Sequence, residues 1–513
     1  MHSSSLLRGL WVGLFVVGLA VPAAAQDATR EADPDIRPSF VVIFCDDLGY
    51  GDLGCFGHPT IRTPQLDRMA AEGTKLTSCY VAAPICTPSR AALLTGRLPI
   101  RNGLTGKRGV YFPDSSEGLP QSETTVATLL HDSGYATGMV GKWHLGHLPE
   151  FLPTSHGFDE YAGIPYSNDM SRADGYSNKS ADPFATLDWR KFNVPLVQSQ
   201  RGEDGQTAAA SVLEQPTDQT TITERYTQRA VEYIERHAPG ARSGEQPFFL
   251  YVAHSLPHIP LFRSDAFAGQ SAGGVYGDVI EEIDQSVGRI LDAIRVQQLG
   301  PHTTVLFTSD NGPWLPFRQH GGSAGPLRDG KGTTWEGGVR VPGIAWGRGV
   351  EAGRTTPEMF CTLDVLPTFA AMAGVEAAAP GVTLDGVTLD GVDQTAFLAG
   401  GGSARDAMMY YRGRELFAVR RGPWKAHFIT QGRYSKSPAR EEHDPPLLFH
   451  LGIDPGEQFN VAGDHPDVVA DLTAMAEQFV ASFDPPPSRM EGRLSEADQR
   501  KTTAELLADR LGE

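Results

Sequence analysis

Cysteine is scarce: five in 513 residues are too few for a disulfide scaffold, and an odd count leaves a thiol over after any pairing. Long apolar runs are scarcer still. None after the N-terminus approaches the ~20 residues that a membrane-spanning helix needs, and the N-terminal run, Leu10 to Val21, is short for a span. It follows Arg8 and precedes Ala23-Ala24-Ala25 and Gln26, the layout of a secretory signal peptide over residues 1–25, with an uncleaved anchor as the alternative. This implies export to a periplasmic or extracellular space and no stable membrane insertion. Positive charge is also in short supply. With 44 Lys plus Arg against 62 Asp plus Glu the net charge is −18, which argues against a nucleic-acid backbone or an anionic membrane as partner. An anionic substrate must therefore be held by local cations. The fifteen histidines lack metal-finger spacing, so zinc is not indicated. The duplicated Gly-Val-Thr-Leu-Asp at 381–385 and 386–390 is too short for a repeat architecture.

What is present is a set of apolar strands that each run into polar residues. Phe40 to Phe44 is apolar without alternation, as in a strand covered on both faces, and leads into Cys45-Asp46-Asp47. Thr304 to Thr308 leads into Ser309-Asp310-Asn311-Gly312, Ala136 to Val140 into Gly141-Lys142-Trp143-His144, and Pro247 to Ala253 into His254-Ser255-Leu256-Pro257-His258. Helical patterns at Thr124–Ser133, Thr221–His237 and Gly277–Gln297 lie between them. The alternation predicts an α/β fold with a parallel or mostly parallel sheet flanked by helices, and ligands in such sheets sit beyond the carboxyl ends of the strands. Singly, Asp-Asp or Asp-Asn-Gly after a strand is ordinary turn or cap chemistry. Jointly, the four strand ends predict one site, in which the oxygens of Asp46, Asp47, Asp310 and Asn311 suit Ca²⁺ or Mg²⁺ rather than a soft metal.

The stretch Cys86-Thr87-Pro88-Ser89-Arg90, continuing Ala91-Ala92-Leu93-Leu94-Thr95-Gly96-Arg97, predicts a short helix over Pro88–Thr95, capped by Thr87 and closed by Gly96. Cys86 then lies at the positive end of the helix with Arg90 one turn in, a setting for an anion. An isolated cysteine is more often a buried structural residue. The whole stretch, however, resembles the maturation signature of type I sulfatases, in which the cysteine becomes formylglycine, whose hydrate attacks sulfate esters.

The resemblance extends from about Phe40 to about Asn460, nearest the arylsulfatase A and N-acetylgalactosamine-6-sulfatase branch. Asp46-Asp47-Leu48-Gly49-Tyr50-Gly51-Asp52 resembles the family's metal motif, and Gly330-Lys331-Gly332-Thr333-Thr334-Trp335-Glu336-Gly337-Gly338-Val339-Arg340 its second sulfate-binding lysine segment. By that resemblance one Ca²⁺ is held by Asp46, Asp47, Asp310, Asn311 and the modified Cys86. Lys142, Lys331 and His258 bind sulfate, Arg90 fixes the hydrate, His144 is a general base, and Ser167 and His427 are substrate-binding positions. His254 is the weaker candidate beside His258. The implied partners are a formylglycine-generating enzyme and a sulfated small molecule or glycan, with galactose or N-acetylgalactosamine sulfates and aryl sulfates both open. A phosphonate or phosphodiester hydrolase of the superfamily and a sulfatase-like lectin without turnover are the competing functions.

The resemblance also implies an alkaline-phosphatase-like catalytic domain over 36–400, a smaller C-terminal antiparallel sheet plus helix over 401–490, and a charged tail over 491–513. Short strands around Met408–Tyr411, Phe417–Arg420, Lys425–Phe428 and Leu447–His450, and a helix over Pro466–Phe483, fit that plan. The stretch Ala371–Gly402 reads as a loose connector, and Asn168–Gln219, which has no firm match, as the place where substrate selectivity resides.

Overall fold

The computed structural model describes residues 36–171, 188–375, 383–384, 387–432 and 438–512. The signal-peptide reading, part of 168–219 and part of the connector fall outside them. Ten strands form the main sheet: β1 Ser39–Cys45, β2 Thr74–Tyr80, β3 Ala136–Gly141, β4 Glu160–Gly163, β5 Leu196–Arg201, β6 Thr207–Glu214, β7 Phe248–Ala253, β8 Thr303–Ser309, β9 Arg340–Gly347 and β10 Arg354–Cys361. Their spatial order is β10-β2-β9-β8-β1-β7-β3-β4-β5-β6. From β8 through β1, β7 and β3 to β4 every pairing is parallel, whereas β9, β5 and β6 join antiparallel. The sheet is therefore parallel at its centre and mixed at its margins.

β1 explains why its sequence shows no alternation. Phe40, Val42 and Phe44 enter one apolar cluster while Val41, Ile43 and Cys45 enter another on the opposite face. The first cluster takes Ala91–Leu94 of the helix Cys86–Thr95, Val126 and Leu130 of Val126–Asp132, and Phe369 of Val365–Met372. The second takes Leu66 and Met69 of Pro64–Glu72, Tyr226 and Ile234 of Ile222–Ser243, and Ile280, Ile283 and Val287 of Gly274–Val296. At about 1.5–3 kcal/mol per fully buried large apolar side chain, two such cores hold the strand ends in place.

The C-terminal strands Ala407–Arg412, Glu415–Arg421, Trp424–Thr430 and Glu441–His450 pair antiparallel in sequence order. Met408, Tyr410, Val419, Ala426 and Leu448 belong to the same cluster as Phe40 and Phe44. Helix Pro466–Ala481 packs on this sheet through Leu472 and Ala476. The tail is docked, with Leu494 and Leu506 against Leu148, and its last helix, Thr503–Leu511, starts at a Thr502/Glu505 capping box.

Two expectations change. The connector is pinned where it is described, because the Asp390 side chain accepts from Arg101 Nε at 2.9 Å and from the Leu98 amide at 2.8 Å, and the Asp390 carbonyl accepts from a terminal nitrogen of Arg405 at 2.9 Å. Thr87 does not cap the short helix. The helix begins at Cys86, and the Thr87 hydroxyl, inside the first turn, donates to the His144 carbonyl at 2.8 Å and accepts from the Tyr111 amide at 3.2 Å. Gly96 closes it at φ 65 as expected. Among the described residues no helix is long and apolar enough to cross a membrane.

Candidate active site

The four strand ends converge. Asp46 and Asp47 follow β1, Asp310 and Asn311 follow β8, Lys142 and His144 follow β3, and His254 and His258 follow β7; all are buried. The turn after β3 requires glycine at position 141, whose φ is 112 and where a Cβ would meet the Ala253 carbonyl oxygen at 1.9 Å. The Lys142 amide then donates to that carbonyl at 2.7 Å, which aims the side chain at Asp46. Lys142 Nζ reaches Asp46 Oδ2 at 2.5 Å and Ser167 Oγ at 3.2 Å. Lys331 Nζ lies 2.6 Å from Asp47 Oδ1 and 4.4 Å above the Trp314 ring.

The helix Cys86–Thr95 delivers two groups. Cys86 Sγ is 3.5 Å from Asp46 Oδ1. Arg90, without solvent exposure, donates to Asp310 Oδ2 from Nε at 3.0 Å and from a terminal nitrogen at 2.8 Å, and to the Lys142 carbonyl at 3.0 Å. Burial pushes the Cys86 thiol well above its ordinary range, against the pull of Lys142 and Lys331. As cysteine it is a neutral thiol and a poor nucleophile. Burial works to raise Asp46 too, but Lys142, His258, Arg90 and Lys331 outweigh it and hold that carboxyl well below its usual range. Asp47, also buried but beside Asp46 and Asp310, is raised to about 7 despite Lys331.

The histidines divide by what they face. His144, at φ 62, has Nε2 3.0 Å from the Tyr111 carbonyl, which only accepts, so the proton sits on Nε2 and Nδ1 keeps its lone pair. Nδ1 is buried and has no hydrogen-bond partner among the described residues. Burial and then the Lys142 and Arg90 charges keep the ring neutral. His258 has Nδ1 2.5 Å from the Ile259 carbonyl and 3.0 Å from Asn168 Oδ1, which turns Nε2 toward Asp47 Oδ2, 3.7 Å away. His254 instead faces Ser286 Oγ of the long helix at 3.4 Å. His427 bonds Glu457 Oε1 at 2.7 Å and packs at a tilt against Trp335, ring centres 4.2 Å apart, in a second buried cluster behind the Lys331 loop.

Donor atoms of Asp46, Asp47, Cys86 and His258 all lie within 4.8 Å of one another. Asn311 Oδ1 is buried without a partner among the described residues, while its Nδ2 donates to Asp47 Oδ1 at 2.7 Å. An orphaned amide oxygen beside clustered carboxylates fits a hard divalent cation. Asp310 is turned further aside than its neighbours, with Arg90 on Oδ2 and the Asp47 amide on Oδ1 at 3.1 Å. In this arrangement Asp46, Asp47 and Asp310 are balanced by Arg90, Lys142 and Lys331. A divalent cation on the carboxylates would leave both ammonium groups for an anion.

Sequence reasoning missed the supporting residues. Tyr111 acts through its carbonyl, and Trp314 through its ring, which lies 5.1 Å from His258. Trp314 stands three residues after Asn311 and could have been suspected; a main-chain acceptor such as that of Tyr111 leaves no side-chain signal.

Residues 38–375 match the family model described as Sulfatase, and residues 403–503 match that described as the C-terminal region of aryl-sulfatase. Arylsulfatase A of Homo sapiens is 44% identical over 85% of this chain and 86% of its own length. N-acetylgalactosamine-6-sulfatase of Canis lupus familiaris is 38% identical over 90% and 88%. Among solved structures, Ps i-CgsB in complex with k-i-k-neocarrahexaose superposes with a TM-score of 0.70 at 28% identity, covering 90% of this chain and 96% of that one.

Proposed function

The chain belongs to the sulfatase family and is a sulfuric ester hydrolase, and from that premise we propose that its reaction runs at the buried cluster around Cys86. In this reading Cys86 is oxidised to formylglycine by a maturation enzyme during export, and one Ca²⁺ is held by Asp46, Asp47, Asp310, Asn311 and the modified residue. The observation that carries it is a thiol at the centre of a charge-matched site whose burial keeps it protonated. Such a thiol is useless as it stands and valuable once converted.

When present, the aldehyde hydrate supplies the attacking oxygen and the ion supplies positive charge at the sulfate. Everything else falls to this chain's own side chains. Lys142 and Lys331 pair with Asp46 and Asp47 here and would be available to the sulfate oxygens with those carboxylates holding the ion. Ser167 holds Lys142 in line. His258, with Nδ1 anchored, directs Nε2 to the ester and its departing alcohol. Arg90 locks the helix start against Asp310 and so fixes residue 86. His144 accepts a proton at Nδ1, the one ring nitrogen that the Tyr111 carbonyl leaves with a lone pair. His427 bonds Glu457 instead of any of these groups, so we assign it to support of the Lys331 loop.

The substrate class we propose is a glycan sulfate, on galactose or N-acetylgalactosamine, with aryl sulfates as simple surrogates. The N-acetylgalactosamine-6-sulfatase relative and the glycan complex of the structural neighbour support this choice. Calcium-loaded protein should release sulfate from 4-nitrophenyl sulfate and from at least one galactose or N-acetylgalactosamine 6-sulfate. Faster cleavage of the matched phosphodiesters would instead favour the phosphodiesterase reading.

A further inference from the structure

Lys331 and His258 enter the cluster from separate segments of the chain, yet both rest on one ring. Lys331 Nζ lies 4.4 Å from the centre of the Trp314 ring, within the ~6 Å over which an aromatic face attracts a cation. The His258 ring packs against the same indole with centres 5.1 Å apart and planes at 50°. Both groups also reach Asp47, Lys331 Nζ to Oδ1 at 2.6 Å and His258 Nε2 to Oδ2 at 3.7 Å. Asp47, Lys331, Trp314 and His258 therefore close a ring of contacts, in which each of the two groups proposed to bind sulfate meets both a carboxylate and an indole.

The local chain accounts for where the indole stands. The Pro313 carbonyl accepts from the Lys331 amide at 2.9 Å, which sets the segment after β8 beside the Lys331 loop, and Trp314 is the next residue. The Trp314 carbonyl accepts from the Phe317 amide at 3.0 Å, and this turn brings the Phe317 ring edge-on to the indole with centres 4.7 Å apart. Gly321 packs against the same carbonyl so closely that a Cβ there would meet the oxygen at 2.2 Å. Trp314 is thus held by its main chain and by its ring. Lys331 and His258 are themselves buried, where water least screens the attraction of an aromatic face.

We propose that Trp314 is a positioning residue of the sulfate site, whose ring face holds the Lys331 ammonium and the His258 imidazole in fixed relation to one another. The inference rests on the sulfate-ester reading and deepens it. Asp47, the other group the two share, is also a proposed ligand of the ion, and a carboxylate that ligates has less charge to offer an ammonium. The indole keeps its negative face in either case. What Trp314 contributes is that face rather than its bulk: an aliphatic side chain would fill part of the space but leave Lys331 without its second partner, and a lysine that must be ordered by the anion itself binds it less well.

The test uses the full-length mature enzyme, calcium-loaded, as wild type, Trp314→Phe and Trp314→Leu, with 4-nitrophenyl sulfate as substrate and inorganic sulfate as competing anion. Trp314→Leu should lower kcat/KM and weaken inhibition by inorganic sulfate together, each by about tenfold, the size of a cation–π contact in a desolvated site. Trp314→Phe, which keeps an aromatic face, should stay within about threefold of the wild type in both. A packing role alone predicts equal losses in the two variants, because neither fills the volume of the indole. Equal losses, or wild-type sulfate affinity in Trp314→Leu, overturn the proposal. If the wild type turns over no sulfate ester, the sulfate-ester reading fails instead. Calorimetric titration of the three proteins with inorganic sulfate then decides the positioning role: binding at least about threefold weaker to Trp314→Leu than to Trp314→Phe supports it, and a smaller difference, or no binding to any of the three, overturns it.

Discussion

Each buried charge in the cluster has an opposite within reach, so single substitutions there have sharply different consequences. Cys86→Ala removes the only candidate for an activated nucleophile in the cluster and should cut kcat by on the order of 10⁴-fold or more, with the fold intact by circular dichroism. His258→Ala removes an imidazole aimed across the carboxylates and should lower kcat/KM by roughly 10²–10³-fold; undiminished turnover would remove His258 from the mechanism. His254, which faces Ser286 rather than the cluster, separates the two neighbours. Its Asn variant should keep sulfate-ester turnover within a few fold while changing how stability depends on pH, as worked out below.

At the scale of elements, the loop carrying Lys331 is held by segments from elsewhere in the chain. Its main chain is held by the Pro313 carbonyl at 2.9 Å, by the Pro84 carbonyl at 2.7 Å through Gly332, and by Glu457 Oε2 at 2.6 Å through the Glu336 amide. Glu457 comes from beyond the small sheet, at φ 50, and pairs with Lys425 at 3.1 Å, which also pairs with Glu336 at 2.9 Å. All of these charges are buried. Lys425→Met leaves two carboxylates without their shared cation and should destabilise the protein by about 3–5 kcal/mol, read as a lower urea midpoint. The strands that end in chemistry were legible in the sequence because burial on both faces makes them continuously apolar; β1, β3, β7 and β8 all stand within a residue or so of their expected bounds. The margins of the sheet were not. β5 mixes buried and exposed residues, β6 is exposed or half-buried beyond Thr207, and β2 has Lys75 and Thr77 half exposed, so none of the three resembles the central strands. Helix Ile222–Ser243 runs six residues past its expected end, through Pro239, and stops at Gly244, φ 77. The position of Thr87 was readable only in part: its type suits a cap, but the His144 carbonyl takes its hydroxyl once the chain has folded.

For the whole molecule, the buried histidines set a limit at low pH. His147 and His254 are lowered to about 4 and His156 to about 3, each by burial. Because their folded pKa values lie below the unfolded value of ~6.5, their contribution is complete above that pH and is lost as pH falls from about 6.5 toward 4. At pH 5 each costs about 2 kcal/mol. Tm should therefore fall between pH 7 and pH 5, and His254→Asn should show a shallower fall than the wild type. A cation bound only by the folded cluster also adds stability by mass action, so chelation should lower Tm and abolish turnover, and calcium should restore both. The measurement that bears most directly on the whole account pairs peptide mass spectrometry at position 86 with sulfate release by the same calcium-loaded preparation. The account predicts an aldehyde in place of the thiol and sulfate release that rises in proportion to its fraction. Full sulfate release from protein whose Cys86 remains an unmodified thiol would contradict it.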